Sequence, residues 1–457
     1  MAAIAAPATS PITEDAFASA MGRLGLFESA PMLAVAVSGG PDSMALVWLA
    51  HRWARAQGGS AFAIIVDHGL RSESADEARI AAEQIRAADI ATCIRKVSGM
   101  PPENGVPAWA RKARYDLLLN AAAERGALHL LLAHHEDDQA ETLMLRLARG
   151  SGVKGLAGMR HSQPGADLRL LRPLLDFTKA QVVATSEKTG WTIADDPSNR
   201  APKYARTRIR IALASANGDA ARIAKTAATL ASEDAAIEHA VTRLTVKVVT
   251  VTPYGTLRLD RRHLRAAPAA VSARLLDRAV RMAGGAEGPL RRHRIARLLQ
   301  DITNSPNTRR TCGGAVIQIK SAEVLLWREP AKLPHLAPLQ SCETGLWDNR
   351  FKFNPNEASP AGDAEILIGP LGYAGLRELE AAFRKSPCRM APYAFGGNPP
   401  RQAITSLPIL RKDDRIVGLS TFAPHRANDG PIATIGDISL FHVRFAPPTA
   451  LTVANAC

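Results

Sequence analysis

Val35-Ala36-Val37-Ser38-Gly39-Gly40-Pro41-Asp42-Ser43-Met44-Ala45-Leu46 is the stretch that decides the fold. An apolar run enters a Ser-Gly-Gly-Pro-Asp-Ser loop, and apolar residues at helical spacing leave it. The two glycines allow a tight turn and a close approach of backbone to a ligand. Loop amides and the start of the following helix then make an anion site, to which Ser38 and Ser43 add hydroxyl donors. The loop holds no Lys, so it is not the Gly-x-x-x-x-Gly-Lys-Ser/Thr cradle of γ-phosphoryl transfer. Asp42 beside phosphates suits a residue that helps hold Mg²⁺.

Outward from this loop, strands and helices alternate. The pattern predicts strands over Leu33–Val37, Ala61–Val66, Thr92–Val97 and His129–Ala133, and helices over Ser43–Ala56, Ser74–Ala88, Pro107–Arg125 and Asp137–Arg149. Short strands joined by single-helix crossovers imply an α/β fold with a doubly wound parallel sheet. Such sheets bind ligands at the carboxyl ends of their strands, where the loops after Val37, Val66 and Ala133 all emerge.

Farther along, Asp219–Leu244, Arg262–Met282 and Leu290–Leu299 read as helices, Leu244–Leu259 as a hairpin around Tyr254-Gly255, and Gly314–Trp327 as a strand pair. A Pro-containing linker spans 332–338. The last stretch is punctuated by Gly and Pro with short β-like runs such as Ala364–Ile368 and Arg415–Thr421. The expected division is a catalytic domain over 1–215, a mostly helical basic domain over 216–331 and a small α+β domain over 339–457.

Composition narrows the class of partner. The chain of 457 residues carries a formal charge of +14, which points to an acidic partner, most commonly nucleic acid. Thr226 to Pro330 holds 17 Lys and Arg against 9 Asp and Glu, a surplus of 8, and 15 of the 17 are Arg. Arg favours phosphate binding and base stacking over mere solvation. No apolar run is long enough to span a membrane. The Ala-rich start lacks the basic and apolar regions of a secretory leader, so a cytoplasmic location is expected. The five cysteines (Cys93, Cys312, Cys342, Cys388, Cys457) form no Cys-x-x-Cys pair, which argues against a disulfide framework, a zinc finger or an iron–sulfur cluster.

Further clusters carry chemistry. Asp67-His68-Gly69-Leu70-Arg71 follows the second strand, where doubly wound sheets place the adenosine. Arg111 and Arg114 share a helix face that can reach phosphate or an RNA backbone. His134-His135-Glu136-Asp137-Asp138-Gln139-Ala140-Glu141 leaves a strand and starts a helix. Its acids can hold Mg²⁺, attract a cationic amine or help deprotonate it, with His134 or His135 as proton acceptor. A Gly-rich loop (Arg149–Met159), Arg172-Pro173-Leu174-Leu175, Asp195-Asp196-Pro197-Ser198-Asn199 and Arg206-Thr207-Arg208-Ile209-Arg210 follow in that order.

The phosphate loop resembles that of the ATP pyrophosphatases, and the whole series resembles the tRNA(Ile)-lysidine synthetase family over roughly residues 33 to 210. The family's order of SGGxDS, DHGLR, ARxxRY, AHHxDDQxET, RGSGxxGLxGM, RPLL, DxSN and RNRIR is kept, with Thr207 where the family usually has Asn. The resemblance implies a PP-loop sheet of the adenine nucleotide alpha hydrolase-like type. It also implies a ligase that uses ATP and Mg²⁺ to adenylate the 2-carbonyl oxygen of the wobble cytidine in the CAU anticodon of isoleucine tRNA. Free L-lysine then displaces AMP. On this reading Ser38, Gly39, Gly40, Pro41, Asp42, Ser43, Asp67 and His68 bind the nucleotide, and Asp42 and Asp138 the metal. Asp42, His134, His135, Asp137 and Asp138 carry the chemistry, and Arg111, Arg114, Glu141, Arg206 and Arg208 meet the substrates. No membrane partner is expected, and a homodimer is an admissible assembly. The rival is a tRNA base thiolase with the same loop, which would deliver sulfur through the paired cysteines or cluster missing here.

Overall fold

The computed structural model describes residues 10–67, 69, 74–99, 102, 105–165, 168–194, 205–215, 219–339, 345–354, 366–384, 400–421, 434–435 and 438–447. His68 and the Asp195–Asn199 motif lie outside the described residues. The chain divides into two compact units, Met1–Ala235 with Ala454–Cys457, and Ala236–Val453.

The first unit runs α1 (Glu14–Arg23), β1 (Met32–Val37), α2 (Pro41–Ala56), β2 (Ser60–Asp67), α3 (Ser74–Ala87), β3 (Ala91–Lys96), α4 (Val106–Glu124), β4 (His129–Leu131) and α5 (Glu136–Ala148). It continues through α6 (Val153–Leu156), β5 (Ser162–Pro164), β6 (Arg169–Leu171), α7 (Lys179–Glu187), α8 (Ala205–Ser215) and the start of α9 (Ala220–Val248). The sheet order is β3-β2-β1-β4-β6-β5. Every neighbouring pair is parallel except β5 with β6.

Both faces of this sheet are buried, as crossover helices demand. Leu33, Val35 and Val37 of β1 join a core with Phe17 and Met21 of α1, Met44 and Leu46 of α2, Ile85 of α3 and Val182 of α7. Ala34 and Ala36 point the other way, into a second core with Phe62, Ile64 and Leu118 of α4. Two-sided burial explains why β1 reads as a continuous apolar run rather than an alternating one. The order of strands reverses between β1 and β4, so the loops leaving those two strands flank the switch-point crevice.

The second unit starts within α9 and holds two further sheets. The first contains β7 (Val249–Val251), β8 (Leu257–Asp260), β9 (Thr308–Cys312), β10 (Ala315–Ile319) and β11 (Glu323–Arg328). Helices α10 (Arg261–Ala266), α11 (Ala269–Gly284) and α12 (Arg292–Asn304) accompany it. Leu257, Leu275, Leu276, Ile295, Leu298 and Ile317 share its core. The expected hairpin is present, although α9 continues to Val248 before it. The single helix expected over Arg262–Met282 is instead two, because Pro268 caps α11 and cannot continue a helix from its N-terminal side. Strand β9 went unrecognised.

The last sheet holds β12 (Ala337–Pro338), β13 (Leu346–Trp347), β14 (Phe351–Phe353), β15 (Leu367–Pro370), β16 (Pro408–Lys412), β17 (Arg415–Thr421), β18 (Thr434–Ile435) and β19 (Ile438–Phe445). Helices α13 (Gly372–Arg384) and α14 (Arg401–Ile404) complete the unit. The run Arg415–Thr421 is a strand as expected. Arg350, fully buried, donates to Asp348 at 2.7 Å and to the Ser406 carbonyl at 3.1 Å. Arg328 grips the other oxygen of Asp348 at 2.7 Å. One carboxylate therefore ties β11 of one sheet to the β13–β14 turn of the other. Among the described residues no helix is long and apolar enough to cross a membrane.

Candidate active site

The phosphate loop is braced by its own serines. Ser43 Oγ accepts the Ser38 N–H at 3.1 Å and donates to the Gly40 carbonyl at 3.0 Å. Gly39 has φ +81°, and a Cβ there would also lie 3.3 Å from the Ala194 Cβ, so only glycine fits without strain. Gly40 caps α2, Pro41 opens it with the fixed φ that a first turn prefers, and Asp42 stands in that turn. The first-turn N–H groups of a helix have no intrahelical acceptor, and here they line the crevice between β1 and β4.

The acidic cluster arrives from the neighbouring strand. His135 caps α5, and its N–H donates to Asp138 Oδ2 at 3.2 Å. Its Nε2 lies 3.5 Å from Asp138 Oδ2 and 3.7 Å from Asp42 Oδ2, and its Nδ1 lies 3.9 Å from Asp137 Oδ1. The two segments singled out in the sequence thus meet at one imidazole. Burial opposes the charge of Asp138, but His135, His134 and the His135 N–H outweigh it and hold its carboxyl below the ordinary value. His134 is pushed down to about 4, first by burial and then by Arg172, Arg206 and Arg111, against the pull of Asp138. It is neutral at pH 7. Glu136 is raised by burial and by its neighbours Asp137, Asp219 and Asp176.

Glu141 is buried and holds Arg210 Nε at 2.7 Å. Burial works against the charge of Arg210, yet the bond to Glu141 raises its pKa. Sequence reading named Arg206 and Arg208 from that segment and passed over Arg210; both named residues are exposed on α8. Arg111 stacks on Tyr115, 5.1 Å from the ring centre. Arg114 turns inward, and burial lowers its pKa. Arg172 is likewise lowered by burial and donates to the Arg160 carbonyl at 2.9 Å. Asp67 Oδ1 accepts from the Gly69 N–H at 2.9 Å and from Ser74 Oγ at 2.7 Å, which ties the end of β2 to the first residue of α3.

Gln139 lies in the same acidic motif. It clamps Met159 from both sides, accepting its N–H at 2.6 Å and donating to its carbonyl at 2.8 Å. Arg146 donates to the Gly155 and Gly158 carbonyls at 2.6 and 2.8 Å. The Gly-rich loop is therefore held by the acidic helix itself. A Cβ at Gly158 would lie 2.5 Å from Gln139 Oε1, which explains that glycine.

Lys179 escaped sequence reading altogether. It is the first residue of α7, capped by Thr178, whose Oγ1 accepts the Gln181 N–H at 3.2 Å. Its Nζ lies 2.5 Å from Asp42 Oδ1, and its backbone N–H points at Asp137 Oδ1 at 3.5 Å. The available signal was a cation at a helix start, which opposes the helix dipole by about 0.3–1 kcal/mol unless an anion compensates.

Among the described residues, several buried polar atoms around this centre have no hydrogen-bond partner: Nδ1 of His134, Nδ1 of His135, Oε2 of Glu141 and Nε of Arg172. Each such atom costs roughly 1–3 kcal/mol, a pattern that suits a site built for a polar ligand.

Residues 13–217 match the model of the PP-loop domain family. The chain is 38% identical over 335 residues to the tRNA(Ile)-lysidine synthase of Bradyrhizobium diazoefficiens, covering 67% of this chain and 92% of that protein. It is 38% identical to the tRNA(Ile)-lysidine synthase of a Methylobacterium species, covering 71% and 97%. The chain belongs to the tRNA(Ile)-lysidine synthase family. Among solved structures, the U34-tRNA thiolase NcsA from Methanococcus maripaludis, described with its [4Fe-4S] cluster, is similar at 16% identity and a TM-score of 0.42 over 48% of this chain and 78% of that one.

Proposed function

We propose that this member of the tRNA(Ile)-lysidine synthase family joins lysine to the wobble cytidine of isoleucine tRNA bearing a CAU anticodon, through an adenylated intermediate. The observation that carries the reading is the meeting of Asp42, from the phosphate loop, with Asp138, from the acidic helix, at His135 Nε2. That meeting supports nucleotide and amine chemistry in one crevice.

The cytidine 2-carbonyl oxygen attacks the α-phosphorus of ATP, the bond to the β-phosphate oxygen breaks, and pyrophosphate leaves with the electron pair. The lysine ε-nitrogen then attacks C2, the C2–O bond breaks and AMP leaves, while the nitrogen sheds its proton. Ser38, Gly39, Gly40 and Ser43 with the start of α2 supply donors for the phosphates, while Pro41, which has no N–H, sets the backbone of the first turn. Asp67 and His68 lie along the chain at the adjoining strand end, where the adenosine is proposed to sit. Glu141, Asp137 and Asp138 give the negative field that draws in an ammonium. His134, held neutral, is the acceptor available at pH 7.

Mg²⁺ fits this donor set. Among the described residues no group of three or more His, Cys, Asp or Glu side chains could cage a metal. Mg²⁺ bound with substrate phosphates needs only one or two carboxylates, and Asp42 and Asp138 are the two that converge. When bound, the ion screens phosphate charge. Lys and Arg of 216–331 and the 339–457 region are proposed to hold the tRNA, with Arg291, Arg292, Arg294 and Arg297 exposed on and before α12.

The test is incubation with ATP, labelled lysine and a transcript of the isoleucine tRNA. Label in the tRNA, dependent on ATP and on the wobble cytidine, is expected. ATP-dependent AMP release without label transfer would refute the lysine reading.

A further inference from the structure

The Lys179–Asp42 pair has no place in the chemistry described so far. The phosphate loop lacks the lysine that other phosphate cradles carry within the loop itself. A lysine nevertheless stands at its mouth, delivered from the first turn of α7, 137 positions along the chain. Val182 anchors α7 in the same core as Met44 and Leu46 of α2, so the two helix starts are fixed side by side. Thr178 and Gln181 lock the α7 start through reciprocal bonds, and Asp137 faces the Lys179 N–H. The backbone of Lys179 is thus rigid, while its side chain remains 39% exposed and its Nζ rests on a carboxylate that is itself 28% exposed. A rigid base with a solvent-accessible ammonium suits a group that changes partner.

We propose that Lys179 binds the β- and γ-phosphates of ATP. It is the phosphate-binding lysine that the loop lacks, and it stands paired with Asp42. The inference rests on the nucleotide reading of this site and deepens it. Its chemistry follows from charge. A triphosphate entering beside Asp42 meets a carboxylate of its own sign, whose charge Lys179 offsets. When the phosphates arrive, the ammonium moves to oxygens carrying more negative charge, and Asp42 is released to face a hard cation. One side chain thereby couples two events: phosphate capture and exposure of the acid. After the α–β bond breaks, the same ammonium faces the charge that develops on departing pyrophosphate.

The experiment measures binding, not turnover. Full-length parent, Lys179→Ala and Lys179→Arg are titrated by calorimetry with ATP, with AMP and with pyrophosphate. A single charge-assisted phosphate contact is worth about a tenfold to hundredfold change in affinity. Lys179→Ala is expected to lose that factor for ATP and pyrophosphate while binding AMP like the parent. Lys179→Arg is expected to stay within a few-fold, since the charge is kept. The Asp42→Asn background separates the two roles. If Lys179 binds phosphate, adding Lys179→Ala to Asp42→Asn still weakens pyrophosphate binding. If the lysine only neutralises Asp42, the second substitution has no effect there, and the proposal is overturned. Equal loss for AMP, ATP and pyrophosphate would also overturn it, by showing damage to the loop. A parent that binds no ATP at all would instead remove the nucleotide reading on which the inference rests.

Discussion

Protonating His134 should cost the first unit stability, and the size follows from its surroundings. The imidazole falls from 6.5 to about 4 because burial and the nearby Arg172, Arg206 and Arg111 disfavour a second positive charge. The folded state thus binds fewer protons than the unfolded chain between those two values. Stability is full above the unfolded pKa and is lost as pH falls from about 6.5 toward 4. A full shift of this size is worth on the order of 3 kcal/mol, and between pH 7 and pH 5 about 2 kcal/mol of it is spent. Substituting His134→Gln removes the titrating group while keeping a polar side chain of similar reach. Urea unfolding of parent and variant at pH 7 and pH 5, in buffer without Mg²⁺, should show the parent losing about 2 kcal/mol more than the variant over that interval. The matching direct measurement is the NMR titration of the His134 ring proton. A midpoint near the ordinary histidine value, or equal pH sensitivity in the two proteins, would refute a desolvated neutral His134 and with it the proton acceptor proposed here.

Three further outcomes follow from the same geometry. Glu141→Gln keeps the side-chain shape but removes the anion that faces Arg210, so ATP affinity should hold while lysine transfer falls by about 10²-fold or more; adenylated tRNA accumulating without lysine and persisting with it is the readout, and transfer at the parent rate would place the amine pocket elsewhere. Replacing Arg291, Arg292, Arg294 and Arg297 together by Gln should flatten the slope of log affinity for tRNA against log salt by about 3, and an unchanged slope would show that these arginines do not meet phosphate. Asp348→Asn strips Arg328 and Arg350 of their shared carboxylate and should destabilise the second unit by about 3–5 kcal/mol in chemical unfolding, with ATP binding in the first unit retained; parent-like stability would mean the triad adds no net energy.

Local signals made the first unit legible. Strands β1 and β2 are apolar on both faces and short, and glycine or proline marks the turns beside them, so periodicity and punctuation agree. The same cues failed where a neighbour decides the structure. Thr308–Cys312 is polar and exposed over most of its length, and it is a strand only because β10 offers it hydrogen bonds. Arg262–Met282 keeps apolar spacing across Pro268, so the spacing outvoted the breaker in reading, whereas in the chain the missing N–H and the ring forced a break.

The site divides in the same way. Asp42, His135 and Asp138 could be named because each lies in a short run that begins at a strand end, and the sheet order then brings those ends together. Arg210 could not, since nothing local refers to Glu141, and a cation at a helix start signals only that Lys179 needs some anion, not that the anion is Asp42. Charge counting fails for a related reason. Of the arginines between Thr226 and Pro330, Arg258, Arg274, Arg278, Arg281, Arg310 and Arg328 are paired with acids of the same unit, and Arg261 is buried against the Ile302, Thr303 and Ser321 carbonyls. Composition sums these with the exposed arginines of α12, although only a group left facing water can release counterions from RNA. The salt slope of tRNA binding should therefore track the exposed subset. A slope reflecting the whole surplus would require internal ion pairs to open on binding, a rearrangement that proton or hydrogen exchange at α11 and β11 would reveal.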